Sequence, residues 1–247
     1  MVLKNHWKFV KDIDLSGHTL IIPSVATGNV GQLTCDLVIS SLGMNLLASV
    51  YTPAQIPVFG SDPYDLTSTS FSSSCQLYVS SSHKLIVLQI RAPLIYKYAQ
   101  EFLEHLVNEF KERKIRDIII LTSSYAHEKK HIMSSPFRYL SSEVTPYREK
   151  IDYFKLMLHE SHNDSLKIFG GGYASMLYKI IKEKGLPCLV LYKYCSEGDN
   201  IPDSYDMIGC LNNIYPLFDE QDDIYGKLVQ PASWTLLFGR PPPQDIY

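Results

Sequence analysis

The sequence predicts an α/β fold, a single three-layer α/β/α domain built on a mostly parallel sheet. Three observations carry that expectation. Short apolar runs, Leu20-Ile21-Ile22, Ile118-Ile119-Ile120-Leu121 and Leu189-Val190-Leu191-Tyr192, are the length of strands and lack polar alternation, as strands covered on both faces do. Between them lie segments with helical periodicity, and strands alternating with helices of about 10–15 residues imply a sheet with helices on both sides. At 247 residues and 45% hydrophobic, the chain is long enough to bury a sizeable core.

Taken in order, Leu20-Ile21-Ile22 is a short strand ended by Pro23. After Gly28, residues Val30, Leu33, Leu37 and Ser41 mark one helical stripe, and Gly43 stops it. Leu46 to Tyr51 returns as a strand. Gln76 to Val79 and Leu85 to Arg91 flank the polar Ser80-Ser81-Ser82-His83-Lys84, the pattern of a hairpin. Tyr98, Phe102, Leu106 and Phe110 line one face of a helix whose other face is charged. Ile168-Phe169 is read as a strand leading through Gly170-Gly171-Gly172 into a helix with Ala174, Leu177, Tyr178 and Ile181 on a shared face. Leu189 to Tyr194 is the next strand and Tyr205 to Tyr215 the next helix. Thr52 to Ser74 and Ser134 to Pro146 are read as loops. Residues 1–238 make the domain, and 239–247, with Pro241-Pro242-Pro243, form a stiff extended tail.

A formal net charge of -3 argues against a general nucleic-acid binder. The first residues lack the apolar core of a signal peptide, and no apolar run approaches the ~18 residues of a membrane span. Cys35, Cys75, Cys188, Cys195 and Cys210 form no metal-binding spacing and read as reduced thiols, which places the chain in the cytosol or nucleus.

Four features invite a chemical reading. His127-Glu128-Lys129-Lys130-His131 matches H-E-x-x-H, which on a helix binds zinc and offers Glu128 as a base. It follows a strand end, where a solvated loop is expected, and nothing singles out a third ligand. Gly170-Gly171-Gly172 and Gly28-Asn29-Val30-Gly31 resemble anion-binding turns, but neither has P-loop or dinucleotide-binding spacing, so tight packing turns are expected. No G-x-S-x-G elbow is present. The polar loop Ser196 to Asp203, with Glu197, Gly198, Asp199 and Asn200 at its centre, leaves the end of a strand and carries no nucleophile. It reads as a shape-holding or partner-contacting loop, with Asp203 or Ser204 capping the next helix. The alternative enzyme readings are a zinc-dependent peptidase or a small-molecule α/β hydrolase.

Five blocks resemble the proteasome assembly chaperone 2 family, in the family's order and across nearly the whole chain. They are Pro23 to Leu33 with the helix through Asp36 to Ser40, Ser135 to Leu140, Gly170 to Gly172, Ser196 to Asp203, and Pro231 to Gly239. The resemblance implies an α/β/α domain with no enzymatic activity, no metal and no cofactor. It implies pairing with proteasome assembly chaperone 1 and binding to the α-subunit ring of the 20S proteasome, which promotes ring assembly and prevents off-path association in cytoplasm and nucleus. Family tails are expected to enter pockets between α subunits through a hydrophobic-Tyr-any motif. Here Asp245 stands where the hydrophobic residue would be, Ile246 where Tyr would be, and Tyr247 is last. Either the aromatic acts one position later or this tail contributes little.

Overall fold

Successive apolar residues within each central strand point to opposite faces, and this divides the interior into two cores. The computed structural model describes residues 4–160, 166–219 and 223–236. Its strands are β1 (His6–Phe9), β2 (Thr19–Pro23), β3 (Asn45–Tyr51), β4 (Phe59–Ser61), β5 (Phe71–Ser73), β6 (Cys75–Ser80), β7 (Leu85–Ile90), β8 (Asp117–Tyr125), β9 (Phe137–Ser141) and β10 (Cys188–Cys195). Its helices are α1 (Val30–Ser41), α2 (Tyr96–Glu112), α3 (Arg148–Tyr153), α4 (Ala174–Glu183), α5 (Ile201–Ile214) and α6 (Ile224–Lys227). Leu20, Ile22, Ile118, Ile120 and Val190 face a core closed by Phe102, Leu106 and Phe110 of α2 and Leu177 and Ile181 of α4. Ile21, Ile119, Leu121, Leu189 and Leu191 face the other core, closed by Leu37 and Val38 of α1 and Met207 and Leu211 of α5. The three layers are therefore helices, sheet and helices.

The sheet runs β1-β3-β6-β7-β2-β8-β10-β9. Its centre is parallel: β7, β2, β8 and β10 run the same way. The hairpin β6–β7 extends it through β3 to β1, and β9 closes the other side, all antiparallel. At the amino end of the parallel strands, wholly buried Asp117 accepts hydrogen bonds from Thr19 Oγ1 (2.8 Å), Arg116 Nε (2.8 Å) and the Tyr147 hydroxyl. Burial first, then the Asp117 charge, holds the Tyr147 phenol far above its usual range.

Four local expectations are corrected. Thr52 to Ser74 is not all loop, because β4 and β5 pair as a small separate hairpin. Ser134 to Pro146 contains β9, whose residues Arg138, Tyr139 and Leu140 pair with β10. Ile168-Phe169 is not a strand. The Phe169 carbonyl instead accepts from Tyr125 N (3.3 Å) and Ser124 Oγ (2.8 Å), and the next carbonyls are also taken by the adjoining turns, so no ladder forms. Helix α5 starts at Ile201, earlier than the expected Tyr205, so neither Asp203 nor Ser204 is its cap. The tail segment 239–247 lies outside the described residues, as do Asp245, Ile246 and Tyr247.

Candidate functional site

Parallel strands deliver their carboxyl ends to one edge of a sheet, and α/β proteins place working surfaces there. Here that rim collects the turn 24–29 after β2, residues 91–95 after β7, 126–136 after β8 and 196–200 after β10. Two antiparallel steps leave β3 running with β7, so the 52–74 excursion rises from the same rim.

The middle of the rim is closed by its own hydrogen bonds. Ser24 Oγ donates to Gly171 O (2.8 Å) and accepts from Tyr173 N (2.9 Å). Thr122 Oγ1 donates to Gly171 O (3.1 Å), Ser123 Oγ to Thr27 O (2.5 Å), and Thr27 N to Gly170 O (2.9 Å). The glycines exist for this approach. Gly172 has φ +59°, and a Cβ there would stand 2.0 Å from Val25 O. Gly28 has φ +63°, and a Cβ would stand 2.7 Å from Asn200 Cγ. The N–H groups of Thr27, Gly171, Tyr173 and Ala174 are spent on Gly170 O, Ile168 O, Ser24 Oγ and Gly171 O, so the glycine turns act as packing devices rather than as an anion cradle.

The 196–200 loop is built onto the same turns. Glu197, Gly198 and Asp199 are exposed, whereas Asn200 is buried against Gly28. Asn200 Nδ2 donates to Ser196 O and Asp203 Oδ2, both at 2.8 Å, and Asp199 Oδ1 accepts from Ile201 N (3.1 Å) at the start of α5. The Lys193 ammonium reaches Asp203 (2.7 Å) and Asp206 (2.5 Å). Burial lowers the Lys193 pKa, but its two carboxylate partners outweigh that and raise it. Asp203 is thus committed to holding α5 on β10.

His127 and His131 do not share a helix face. Residues Ala126–Glu128 form one 3-10 turn, and the chain then opens into a loop. The His127 ring stacks on Tyr125, with centroids 5.2 Å apart, so the two-imidazole geometry a zinc peptidase needs is not formed. Among the described residues, no group of three or more His, Cys, Asp or Glu could hold a metal. Nor is any helix among them long and apolar enough to cross a membrane.

Beside its exposed polar residues, the rim presents large apolar side chains. Tyr51, Ile56, Val58, Phe59, Phe71 (79% exposed), Ile95, Tyr96 (90%), Tyr125, Ile132 (85%) and Met133 (97%) all lie on segments gathered there. The excursion that carries many of them is anchored. Buried Asp36 of α1 accepts from Arg91 Nη2 (2.7 Å) and Nη1 (3.0 Å), Gln89 Nε2 (2.8 Å) and the Tyr64 hydroxyl (2.6 Å). Sequence reasoning placed the two rim turns and the 196–203 loop but missed these anchors. The available signal was apolar residues, Val58-Phe59 and Ile132-Met133, within or beside segments otherwise composed as loops.

Comparison with known proteins agrees with this architecture. The family model described as PAC2 family matches residues 20–206. The chain is 35% identical over 257 aligned residues to proteasome assembly chaperone 2 of Homo sapiens, covering 95% of this chain and 96% of the relative. It is 34% identical over 239 residues to the Danio rerio protein of the same name, covering 90% and 92%. Among solved structures, Pyrococcus furiosus PbaA, an archaeal homolog of proteasome-assembly chaperone, superposes with a TM-score of 0.70 at 13% identity. That superposition covers 91% of each chain and supports the fold alone. Sequence match, full-length relatives and shared topology converge: the chain belongs to the PAC2 family.

Proposed function

We propose that this chain is a non-enzymatic proteasome assembly chaperone. In this reading it pairs with proteasome assembly chaperone 1 and binds the α-subunit ring of the 20S proteasome, promoting ring assembly and preventing off-path association. The observation that carries the proposal is the carboxyl rim, where the turns close on themselves and large apolar side chains face solvent. Large apolar side chains exposed along one edge of a folded chain suit protein contact. The names borne by the human and zebrafish relatives support the same role. A chaperone of this kind acts by mass action: holding an intermediate lowers the population free to associate wrongly. The five cysteines, all free and buried, fit action in the cytoplasm and nucleus.

Affinity purification of the full chain followed by mass spectrometry tests this. The expected result is recovery of proteasome assembly chaperone 1 and α subunits in a defined complex. Recovery of the chain alone, from cells containing both, would remove the proposal. Deleting residues 244–247 asks separately about the tail: unchanged ring binding assigns the contact to the body, and lost binding assigns it to Asp245, Ile246 and Tyr247.

A further inference from the structure

We infer that residues 223–236 are a brace whose docking sets whether the outer part of the 52–74 excursion is ordered, the two opening as one unit while the sheet stays folded. The base of the excursion is fastened without the brace: Gln55 Nε2 donates to Ala92 O (3.1 Å), and Ile95 N donates to Ala54 O (2.8 Å). Among the described residues, the hydrogen bonds that tie 56–71 to chain outside the excursion fall at two adjacent positions. The Tyr64 hydroxyl donates to Asp36 of α1 (2.6 Å) and accepts from Arg91 Nη2 (3.1 Å). The Pro63 carbonyl accepts from Ser233 N (3.0 Å), which belongs to the brace.

The brace itself is lightly held. Among its described side chains, only Pro231 and Trp234 are buried, and Tyr225 and Val229 are exposed. Val229 N donates to Ser41 Oγ (2.9 Å) at the end of α1, and Gln230 Nε2 donates to the Tyr205 hydroxyl (3.1 Å). Trp234, 8% exposed, is the large anchor, and it sits in the apolar cluster against which Tyr64 packs. A segment with few buried contacts opens at a lower free energy than the sheet does. Undocking Trp234 takes the Ser233 donor from Pro63 and removes a large ring from the cluster that backs Tyr64, so both latch residues lose support together. Phe59 and Phe71, two of the large apolar side chains at the rim, ride on β4 and β5, and the brace thereby governs whether they are held in one pose. This coupling belongs to the free chain and needs no partner.

Native-state amide exchange on the full chain, followed through a denaturant series below the unfolding transition, tests it. In the parent, Val229, Ser233 and the hydrogen-bonded amides of β4 and β5 should share one opening free energy and one denaturant slope, both below those of Ile118 to Leu121 in β8. Trp234→Ala should speed exchange at least about 10-fold in the brace and in β4 and β5 alike. Tyr64→Phe keeps the ring and removes only the hydroxyl; because coupling is reciprocal, it should speed exchange at Val229 and Ser233 as well as in β4 and β5. This milder variant and the parent decide the matter if Trp234→Ala does not fold. Different opening free energies for brace and excursion in the parent, or values equal to those of β8, overturn the shared latch. So does a Trp234→Ala variant in which β4 and β5 keep the parent rate, or a Tyr64→Phe variant in which Val229 and Ser233 do.

Discussion

Replacing Arg138 with Met tests whether the exposed turn carrying Ile132 and Met133 is held from the interior. Methionine keeps an unbranched apolar stem and removes the guanidinium. Arg138 has 0% of its side chain exposed and Glu160 has 15%. The substitution strips a donor from the Ser135 and Phe137 carbonyls and the Ser134 hydroxyl, and leaves Glu160 without its counter-charge. Removing one partner of a buried ion pair costs about 3–5 kcal/mol. Water reaches part of Glu160 and rehydrates it once the cation is gone, which places the expected cost near the lower bound, about 3 kcal/mol. For a chain of this length each kcal/mol lowers Tm by about 2–4 °C, so thermal unfolding at neutral pH should fall by about 6–12 °C. Glu160→Gln and the double variant complete a cycle whose coupling should exceed about 1 kcal/mol. Amide exchange should quicken at Ser134 and Phe137 beyond the global change. An Arg138→Met variant melting within a degree of the parent, or strictly additive effects, would refute the reasoning.

Three other outcomes follow from the same interior. Gly172→Ala places a methyl against the Val25 carbonyl, which no rotamer relieves, and should cost more than about 3 kcal/mol in urea unfolding. Gly185→Ala, also at positive φ (+71°) but with nothing within 4 Å, should cost only about 1–2 kcal/mol; equal costs contradict the close-packed rim. Arg91→Met removes the cation from Asp36 and should open residues 52–74 to limited proteolysis before the sheet unfolds, whereas cleavage appearing first elsewhere would show that Asp36 does not pin the excursion. Burial pushes the Glu160 pKa up, but the Arg138 hydrogen bonds and charge outweigh it and hold the carboxyl below the ordinary glutamate range. The unfolded chain therefore binds more protons as pH falls below about 4.3, and the stability this pair supplies is present above that value and lost beneath it. Melting curves from pH 5 to 3 should fall less steeply for Glu160→Gln than for the parent.

The layering was legible because it depends on local pattern: Ile118 to Leu121 and Leu189 to Tyr192 are apolar at every position, and only strands covered twice need that. The glycine turns were legible as turns, since Gly28 and Gly170 to Gly172 interrupt the pattern between elements. Their role was set by distant residues such as Ser24 and Asn200, whose proximity no local window contains. Strand β9 was hidden because Arg138 within it looks solvent-seeking, and its counter-charge, Glu160, stands 22 positions later. Strand β1, with alternating exposure in His6 to Phe9, is too short and too charged around it to stand out. The exposure of Ile132 and Met133 was illegible for a different reason: exposure is a property of the assembled surface, and two apolar residues in a polar loop are equally consistent with burial.

Hydrogen exchange across the whole chain, free and in complex with the α subunits and proteasome assembly chaperone 1, tests the central claim most directly. Protection is expected at the carboxyl rim, in residues 52–74, 95–98 and 126–136. Protection confined to the opposite edge, around Gly17, His83 and Lys114, or none anywhere, would contradict a chaperone that works through the rim.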